Sequence, residues 1–467
     1  MGLVLLAVVL SVLASSLAFA PASGVGNASG PLRVHPDNPR YLADADGRAV
    51  LLTGFHTWNS LQDMGPGDPP EPFDYDGYLD LLQERGANYI RLWRWEMPKY
   101  HYPQDMYPSQ APYLHSAPHP WLRSGADPAR DGKPKFDLTQ FDANYFERLR
   151  DRVARAGRRG IYVSVMLFEG HCAQYSEEGW EFHPFATGNN VNGIDADADG
   201  DGRGLEFYTL QVPEVTRMQE AYVRHVVDAV NDLDNVFYEI SNEAGGYSTE
   251  WQYHMIRHVK EYEAGKPWQH LVGMTFQYRG GRNADLFASP AAWISPNPDG
   301  GYRDAPPAAD GSKVILSDTD HLWGVGGNRA WIWQTFTQGM HPVFMDPWGR
   351  GYTLFKTMDA ASLKDIRSNL GYVQRYPARM NLAAAFPHGE LASSGYCLAN
   401  PGVEYLVYLP EGGEVEVDLS AAAGELSAEW FRPDRGEPVS STGVPGAERR
   451  TFTAPFDGDA VLYLRAR

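Results

Sequence analysis

Asn242 and Glu243 stand directly after a run of apolar residues, where an amide and a carboxyl group could act on one bond. The run, residues 236–240, is rich in β-branched and aromatic side chains, and glycines at 245 and 246 follow it. This pattern predicts a buried strand that ends at the Asn-Glu pair. The amide could hold a sugar hydroxyl while the acid protonates a glycosidic oxygen. A chance dipeptide that caps a loop is the alternative, because a short motif depends on its context.

Two aspartates follow a second apolar run and could supply a partner for Glu243. Residues 314–316 are apolar, and Asp318 and Asp320 come next, two positions apart. Side chains two apart on a strand share a face, so both could point to the same end of a sheet. Their repulsion would raise the pKa of one carboxyl and leave the other ionised, and glycoside hydrolysis needs one group in each state. One of the two could instead cap the loop or pair with an arginine.

Further residues near predicted strand ends could contact a substrate. The predicted contacts are Asn242, His56, Trp58, Arg91, Trp93, His171, His321, Trp323, Asp346 and Trp348. Tryptophan rings can stack on sugar rings, and the chain has 13 Trp and 26 Tyr, so we interpret the cluster as a sugar platform. Packing in the core is the alternative for at least half of these rings, and a structural role is the alternative for the arginine.

The chain around these residues alternates between strand and helix signals. Apolar runs predict strands at 50–55, 89–95, 161–168, 236–240, 271–276, 293–295, 314–316 and 343–345. Helices are predicted at 75–85, 138–156, 214–233, 251–263, 329–337 and 360–374, and a long Pro- and Tyr-rich loop at 98–134. This order predicts an α/β fold, a (β/α)8 TIM barrel, whose strand tips would bring the acids to one mouth. A doubly wound sheet is the alternative, but residues 54–58 lack its glycine-rich phosphate loop.

Domain boundaries follow from changes in this pattern. Residues 41–50 predict a hairpin with its turn at Asp46-Gly47. Near residue 388 the chain changes to short alternating strands separated by Gly and Pro, which predicts a small all-β sandwich. We therefore divide the chain into a signal peptide at 1–20, a linker at 21–31, a catalytic barrel at 32–387 and a C-terminal β-sandwich domain at 388–467.

An apolar leader predicts export. Residues 2–20 are apolar or small and end in Ala-Phe-Ala, which fits a cleavage site, although no basic residue precedes them. An uncleaved anchor is the alternative, because the run approaches the length that spans a bilayer. We expect a secreted, cell-surface or periplasmic protein with no membrane contact after cleavage.

Charge and cysteine content exclude other classes of function. The net charge of −19 argues against a nucleic-acid partner, because such binding needs basic surfaces. The two cysteines, Cys172 and Cys397, fall in different predicted domains, which argues against a structural disulfide.

An acidic stretch fits the Asp-x-Asp-x-Asp-Gly-x5-Glu pattern of a calcium loop. The predicted ligands are Asp195, Asp197, Asp199, Asp201 and Glu206. Without a cation these carboxylates would repel one another, and a solvated acidic loop is the alternative. The flanks lack the helical periodicity of an EF-hand. We therefore expect one structural Ca2+ after the third strand and no organic cofactor.

Three segments carry a resemblance to known families. Residues 238–243, Tyr-Glu-Ile-Ser-Asn-Glu, resemble the fourth-strand motif of the clan A glycoside hydrolases, which are retaining enzymes on (β/α)8 barrels. Residues 41–63 resemble the apiosidase-like branch of that group. Residues 396–402 and 430–437 resemble a collagen-binding β-domain that is often joined to such barrels, and that name is not evidence of collagen binding.

The resemblance implies roles for the acids. Glu243 takes the position of the general acid/base, and Asn242 that of the residue that contacts the substrate. The clan's nucleophile is a Glu at the tip of the seventh strand, whereas this chain has Asp318 in that position and Asp320 as the alternative. A carboxyl separation of about 5 Å would mean retention of configuration, and about 6.5–9.5 Å would mean inversion.

The sequence therefore predicts an exported glycoside hydrolase that cleaves O-glycosidic bonds in poly- or oligosaccharides by a two-carboxylate, retaining mechanism. Because the usual seventh-strand glutamate is missing, a catalytically inactive carbohydrate-binding or adhesin protein on the same scaffold is an alternative. A metal-dependent barrel enzyme that uses the acidic loop in catalysis is another.

Overall fold

The computed structural model describes residues 28–101, 113–175, 178–348 and 358–467. The predicted signal peptide lies outside the described residues, as does the predicted linker up to residue 27. Within the described ranges, no helix combines the length and the apolar character needed to cross a membrane.

Eight parallel strands close into a barrel, which confirms the predicted TIM-barrel architecture. The strands are β1 Gly54–His56, β2 Tyr89–Leu92, β3 Tyr162–Glu169, β4 Val236–Asn242, β5 Val272–Thr275, β6 Trp293–Ser295, β7 Val314–Asp318 and β8 His341–Met345. Strands adjacent in the chain pair around the ring, and β8 closes it by pairing with β1. Gly54 is required where β1 pairs with β2, because a Cβ atom there would lie 2.0 Å from the carbonyl oxygen of Tyr89.

Helices follow the strands and bury one apolar face against them. They are α1 Tyr75–Arg85, α2 Ala143–Gly157, α3 His171–Tyr175, α4 Pro213–Val230, α5 Thr249–Glu263, α6 Asn283–Ala288, α7 Arg329–Thr337 and α8 Ala360–Val373. Single 3-10 turns lie at Trp180–Phe182, Leu205–Tyr208, Gly246–Ser248, Thr319–His321, Tyr376–Ala378 and Gly389–Leu391. In α4, Val215, Tyr222 and Val226 are buried at helical spacing, as the sequence predicts.

The segment between β2 and α2 differs from the prediction of a long loop. Strands Lys99–Tyr100 and Leu114–Ala117 join Asp63–Gly65 in a small sheet, and Trp121–Pro128 pairs with Pro134–Phe141. Helix α2 therefore begins at Ala143, not at residue 138, and Asp142 caps it by accepting the backbone N–H of Asn144. Residues 102–112 of the predicted loop lie outside the described ranges.

The N-terminal part confirms the predicted hairpin. Leu42–Ala43 pairs antiparallel with Ala49–Val50, and Arg33–Val34 adds a third strand. Because residues 49–50 belong to this hairpin, the first barrel strand begins four positions after the predicted residue 50.

The C-terminal domain is a layered antiparallel β-structure. Its strands are β9 Phe386–Pro387, β10 Cys397–Asn400, β11 Glu404–Leu409, β12 Glu414–Asp418, β13 Glu425–Arg432, β14 Glu437–Pro445, β15 Arg449–Thr453 and β16 Ala460–Ala466. Six form one sheet in the order β9-β10-β11-β16-β13-β14, while β12 and β15 form the second sheet. This arrangement confirms the predicted β-sandwich after the barrel.

The larger sheet is buried on both faces. Along β11, Tyr405, Val407 and Leu409 belong to the core of the C-terminal domain. The alternate residues Leu406 and Tyr408 belong to the core of the barrel. The barrel and the C-terminal domain therefore share a continuous apolar interface. The two cysteines, one in each unit, form no disulfide, as predicted.

Candidate active site

A cavity of about 770 Å³ is lined by residues at the carboxyl ends of the barrel strands. Its aromatic lining comprises Trp58, Trp93, Trp95, Tyr175, Phe276, Tyr278 and Trp323. Its polar lining includes Asn242, Glu243, Asp320, His171, His321, Asn297, Arg279 and Arg303. Among the described lining residues, Glu243 and Asp320 are the two acids. The cavity thus combines aromatic walls, on which sugar rings could stack, with a pair of carboxyl groups.

Glu243 has an unusual backbone conformation. Its φ angle is +46°, in the left-handed region that a residue with a Cβ atom rarely adopts. The side chain of Gln174 on α3 donates from Nε2 to the Glu243 carbonyl oxygen and also to that of Tyr278. Such strain is found where a function requires it. The turn directs the Glu243 carboxyl into the cavity instead of continuing β4.

His171 is the hydrogen-bond partner of the Glu243 carboxyl group, with 2.7 Å between Nδ1 and Oε2. Burial by itself would raise the pKa of Glu243, but the hydrogen bond and charge of His171 hold it below its usual range. Burial would likewise lower the pKa of His171, but Glu243 raises it. Both directions describe an ion pair at the cavity wall.

Arg91 on β2 links several acids beneath the cavity. It is 1% exposed and forms a bidentate pair with Glu239 of β4, with 2.6 Å between Nε and Oε2. Its Nη1 lies 2.7 Å from Oδ2 of Asp320. The guanidinium group therefore donates its hydrogen bonds to acids of the protein, and Arg91 does not line the cavity. The predicted substrate contact holds the acids in place instead.

Asn242 is oriented by two donors. Its Oδ1 accepts from Nη2 of Arg91 at 2.7 Å and lies 3.4 Å from Nε2 of His321. Because an arginine can only donate, the amide oxygen must face it, and Nδ2 is directed elsewhere. Within the described part of the chain Nδ2 has no hydrogen-bond partner. Asn242 lines the cavity, so this donor is available to a substrate hydroxyl.

Asp318 and Asp320 have different surroundings. Asp318 ends β7 and is held by His56 of β1, whose Nε2 lies 2.9 Å from Oδ2. Burial alone would raise the pKa of Asp318, but His56 and then Arg91 lower it to about 2. Neither Asp318 nor His56 lines the cavity. The predicted nucleophile and the predicted substrate contact thus form a buried hydrogen-bonded pair below it.

Asp320 lies in the 3-10 turn after β7 and faces the cavity. Burial raises its pKa to about 7, against the charge of Arg91 and with the help of the negative charges of Glu243 and Asp318. The neighbouring His321 also lines the cavity and is fixed by Ser295 of β6, 2.8 Å from its Nδ1. The cavity wall therefore carries two carboxyl groups whose pKa values are displaced in opposite directions.

The four predicted tryptophans and Asp346 fall into two groups. Trp58, Trp93 and Trp323 line the cavity, as does Trp95. Trp348 instead packs against Phe73 and Tyr78, with ring centroids 5.5 and 4.9 Å away. Asp346 is fully buried and paired with Arg367 at 2.8 Å, so it stabilises the barrel and does not reach the cavity.

The acidic loop brings three of its five predicted ligands together. One carboxylate oxygen from each of Asp197, Asp199 and Glu206 lies within 4.8 Å of the others. Oδ1 of Asp197 and Oε2 of Glu206 are buried and have no hydrogen-bond partner among the described residues. The Asp195 carboxylate accepts from Thr187, and that of Asp201 from the backbone of Arg203. Three convergent acids fit a hard cation that prefers oxygen ligands.

Several residues of the site were not predicted from the sequence. Gln174 and Tyr175 carry no local signal, since their role depends on contact with the β4 and β5 loops. Arg279 and Tyr278 likewise follow β5 without a motif. Glu239 is different, because a charged residue inside an apolar run indicates a buried partner, and that signal could have identified it.

Two sequence families match parts of the chain. Residues 110–278 match a domain of unknown function, DUF6298. Residues 389–465 match a family described as "Putative collagen-binding domain of a collagenase", in agreement with the resemblance of the C-terminal segments. No curated protein matches the sequence.

Two solved structures described as glycoside hydrolases have a similar fold. One, described as a glycoside hydrolase, is 13% identical, with alignment over 93% of this chain and 97% of its own and a TM-score of 0.58. Another, a glycoside hydrolase family 5 protein from Bacteroides vulgatus ATCC 8482, is 13% identical over 93% of each chain, with a TM-score of 0.59. At this level of identity the likeness shows a shared fold, a TIM barrel with an appended β-domain.

Proposed function

We propose that the protein is an exported glycoside hydrolase that cleaves O-glycosidic bonds in poly- or oligosaccharides. The observation that carries the proposal is the pair Glu243 and Asp320, two carboxyl groups on the wall of one aromatic cavity at the carboxyl ends of the strands. Glycoside hydrolysis needs such a pair, and a TIM barrel keeps its catalytic groups at this end. Export rests on the leader and the apiosidase-like branch on residues 41–63, both from sequence alone.

The roles follow from position and environment. Glu243 acts as general acid/base at the tip of β4. Asp320, not Asp318, is the nucleophile, because Asp318 is held by His56 and does not reach the cavity. A turn residue two positions beyond the strand tip makes up for the shorter side chain of Asp. Asn242 donates from Nδ2 to a substrate hydroxyl, a contact that strengthens in the transition state.

In the retaining mechanism that we propose, Asp320 attacks the anomeric carbon while Glu243 gives a proton to the departing glycosidic oxygen. The bond from the carbon to that oxygen breaks with its electron pair, and a glycosyl ester forms on Asp320. Glu243 then removes a proton from water, which attacks the ester and frees the carboxylate. Arg91, whose Nη1 lies 2.7 Å from Oδ2 of Asp320, stabilises the negative charge that Asp320 carries before the first step and regains in the second.

We further propose that the acidic loop binds one structural Ca2+ through Asp197, Asp199 and Glu206. The support is the sequence pattern together with the two buried carboxylate oxygens that lack a protein donor. Burial and the neighbouring aspartates raise the pKa of Glu206, which is the repulsion that a cation would relieve.

The test is a glycan screen with anomer-resolved NMR on three proteins. The native protein should release reducing ends from at least one plant or microbial polysaccharide or aryl glycoside, and Glu243→Gln should lower that rate by at least about 1,000-fold. The control is Glu220→Gln, which alters a carboxylate paired with His254 on the outer helices and should leave the rate unchanged. Binding of a glycan without hydrolysis by the native protein would instead establish a carbohydrate-binding protein.

A further inference from the structure

Two residues of helix α3 form hydrogen bonds with Glu243. His171, its first residue, meets the carboxyl group at Oε2, and Gln174, one turn later, donates to the main-chain carbonyl oxygen. The carboxyl and the backbone of the proposed acid/base are thus fixed by one short element from the neighbouring strand loop.

The imidazole of His171 is itself held in place. Its backbone N–H donates to Oε1 of Glu169 at 2.7 Å. The ring stacks on Tyr175, with centroids 4.3 Å apart, and Tyr175 stacks in turn on Tyr278 at 5.7 Å. This stacking restrains the imidazole ring and keeps its Nδ1 directed at the Glu243 carboxyl group.

The charges around the pair favour a proton on the imidazole. Glu243, Glu169 and Asp320 present negative charge to His171. Arg91 presents positive charge to the Glu243 carboxyl group. The 2.7 Å contact between Nδ1 of His171 and Oε2 of Glu243 therefore joins an imidazolium and a carboxylate at rest.

We propose that His171 is a positioning residue that stores the proton which Glu243 delivers, an inference that rests on the proposed function. The N–H bond at Nδ1 breaks as the O–H bond at Oε2 forms, and that proton then passes to the glycosidic oxygen as its bond to carbon breaks. In the second step Glu243 takes a proton from water and returns it to Nδ1. The cycle leaves both groups as they began.

The test compares leaving groups of different basicity. Phenyl and 2,4-dinitrophenyl glycosides of the sugar that the native protein cleaves fastest are hydrolysed by the native protein and by His171→Gln. Phenolate needs a proton and dinitrophenolate does not, so we expect at least about a tenfold loss with the phenyl glycoside. The dinitrophenyl glycoside should lose less than about threefold. The control, His254→Gln, breaks a His–Glu pair on the outer helices and should change neither rate.

A second measurement does not depend on turnover. The NMR titration of the imidazole resonance that is missing in His171→Gln gives the pKa of His171, and Glu243→Gln should lower that pKa by about 1 or more. Equal losses of rate with both glycosides in His171→Gln, or an unchanged pKa of His171 in Glu243→Gln, would contradict the proposal that His171 stores the proton. Either result would leave the proposed hydrolysis unaffected. A native protein that cleaves neither glycoside would overturn the proposed function, whatever the titration shows.

Discussion

At the level of single residues, Asp318 and Asp320 lie in contrasting surroundings. Asp318 is buried against His56, whereas Asp320 contacts Arg91 and faces the cavity with its pKa raised to about 7. Removing one partner of a buried hydrogen-bonded pair destabilises a fold, whereas a cavity carboxyl with a displaced pKa is suited to chemistry. The two aspartates should therefore respond differently to the same substitution.

Asp320→Asn should lower hydrolysis by at least about 1,000-fold with little change in stability. Asp318→Asn should instead lower the free energy of unfolding by about 2 kcal/mol at pH 7, as judged from the lowered pKa of Asp318. A carboxyl group whose pKa is lower in the folded state than in the unfolded state stabilises the fold at pH values above its unfolded pKa. The difference in unfolding free energy between the native protein and Asp318→Asn should therefore shrink as the pH falls from about 4 towards 2. Denaturant titrations and rate measurements on both variants check this. The reverse pattern would make Asp318 the nucleophile.

The pH dependence of hydrolysis follows from the same groups. Asp320 must be ionised to attack, and because its pKa is about 7, the rate should fall as the pH drops below that value. The proton of the His171–Glu243 pair must be present, and since the pKa of His171 is raised above 6.5, the rate should fall again only on the alkaline side. We expect a bell-shaped kcat/KM profile with its optimum at neutral or mildly alkaline pH. An optimum below pH 5 would contradict these assignments.

Sequence could identify Asn242 and Glu243 because the signal is local, an apolar strand that ends in polar residues. It could not separate Asp318 from Asp320. That choice depends on His56, which is 262 positions away in the chain and meets Asp318 only when β1 closes the barrel beside β8. The same holds for His171 and Glu243, which the fold brings together from different strand loops.

At the level of elements, the acidic loop between α3 and α4 is the proposed calcium site, so we expect calcium to change its stability. At a calcium concentration 100 times the dissociation constant, binding adds about 2.7 kcal/mol to stability, so chelation should lower the melting temperature by roughly 5 °C. Glu206→Gln should abolish this response, because it removes one of three convergent carboxylates. Calorimetry with and without chelator gives the measurement.

Asp201→Asn is the matched control for the loop. Its carboxylate lies outside the three-residue cluster and caps the backbone of Arg203, so the response to calcium should remain. If chelation removed activity without lowering the melting temperature, the loop would belong to a metal-dependent active site.

Elements with strong periodicity were predictable, and those made by long-range pairing were not. Helix α7 has the predicted bounds, since its capping residue Asn328 and its end lie within one local segment. The start of α2 was placed too early, because residues 134–141 pair with 121–128 as a hairpin. The spacing of apolar residues within one segment does not indicate such a pairing with another segment. The pairing competes with the helix for the same residues.

At the scale of the whole molecule, the barrel and the C-terminal domain share a core. Phe431 of β13 is 3% exposed and packs against Trp333 of α7 and Tyr372 of α8, with ring centroids 5.7 and 5.6 Å away. Arg329 on α7 pairs with Asp459 just before β16. Because these contacts join the two units, we expect them to unfold as one cooperative structure.

Phe431→Ala should therefore lower the free energy of unfolding by about 3–5 kcal/mol and affect the barrel and the β-domain together. Denaturant unfolding should remain a single transition when followed by far-UV circular dichroism and by tryptophan fluorescence. Val403→Ala, at a position 47% exposed, should change stability by less than about 0.5 kcal/mol. Two separated transitions in the native protein would contradict a shared core.

In our proposal Glu243 is the acid/base and Asp320 is the nucleophile, and azide rescue distinguishes the two roles. Glu243→Ala, given a 2,4-dinitrophenyl glycoside and azide, should regain turnover and yield a glycosyl azide with the configuration of the substrate. Asp320→Ala with azide should yield the opposite configuration, because azide then takes the place of the nucleophile. The reverse pair of products would exchange the two roles. A native protein that hydrolyses no glycoside would contradict the account.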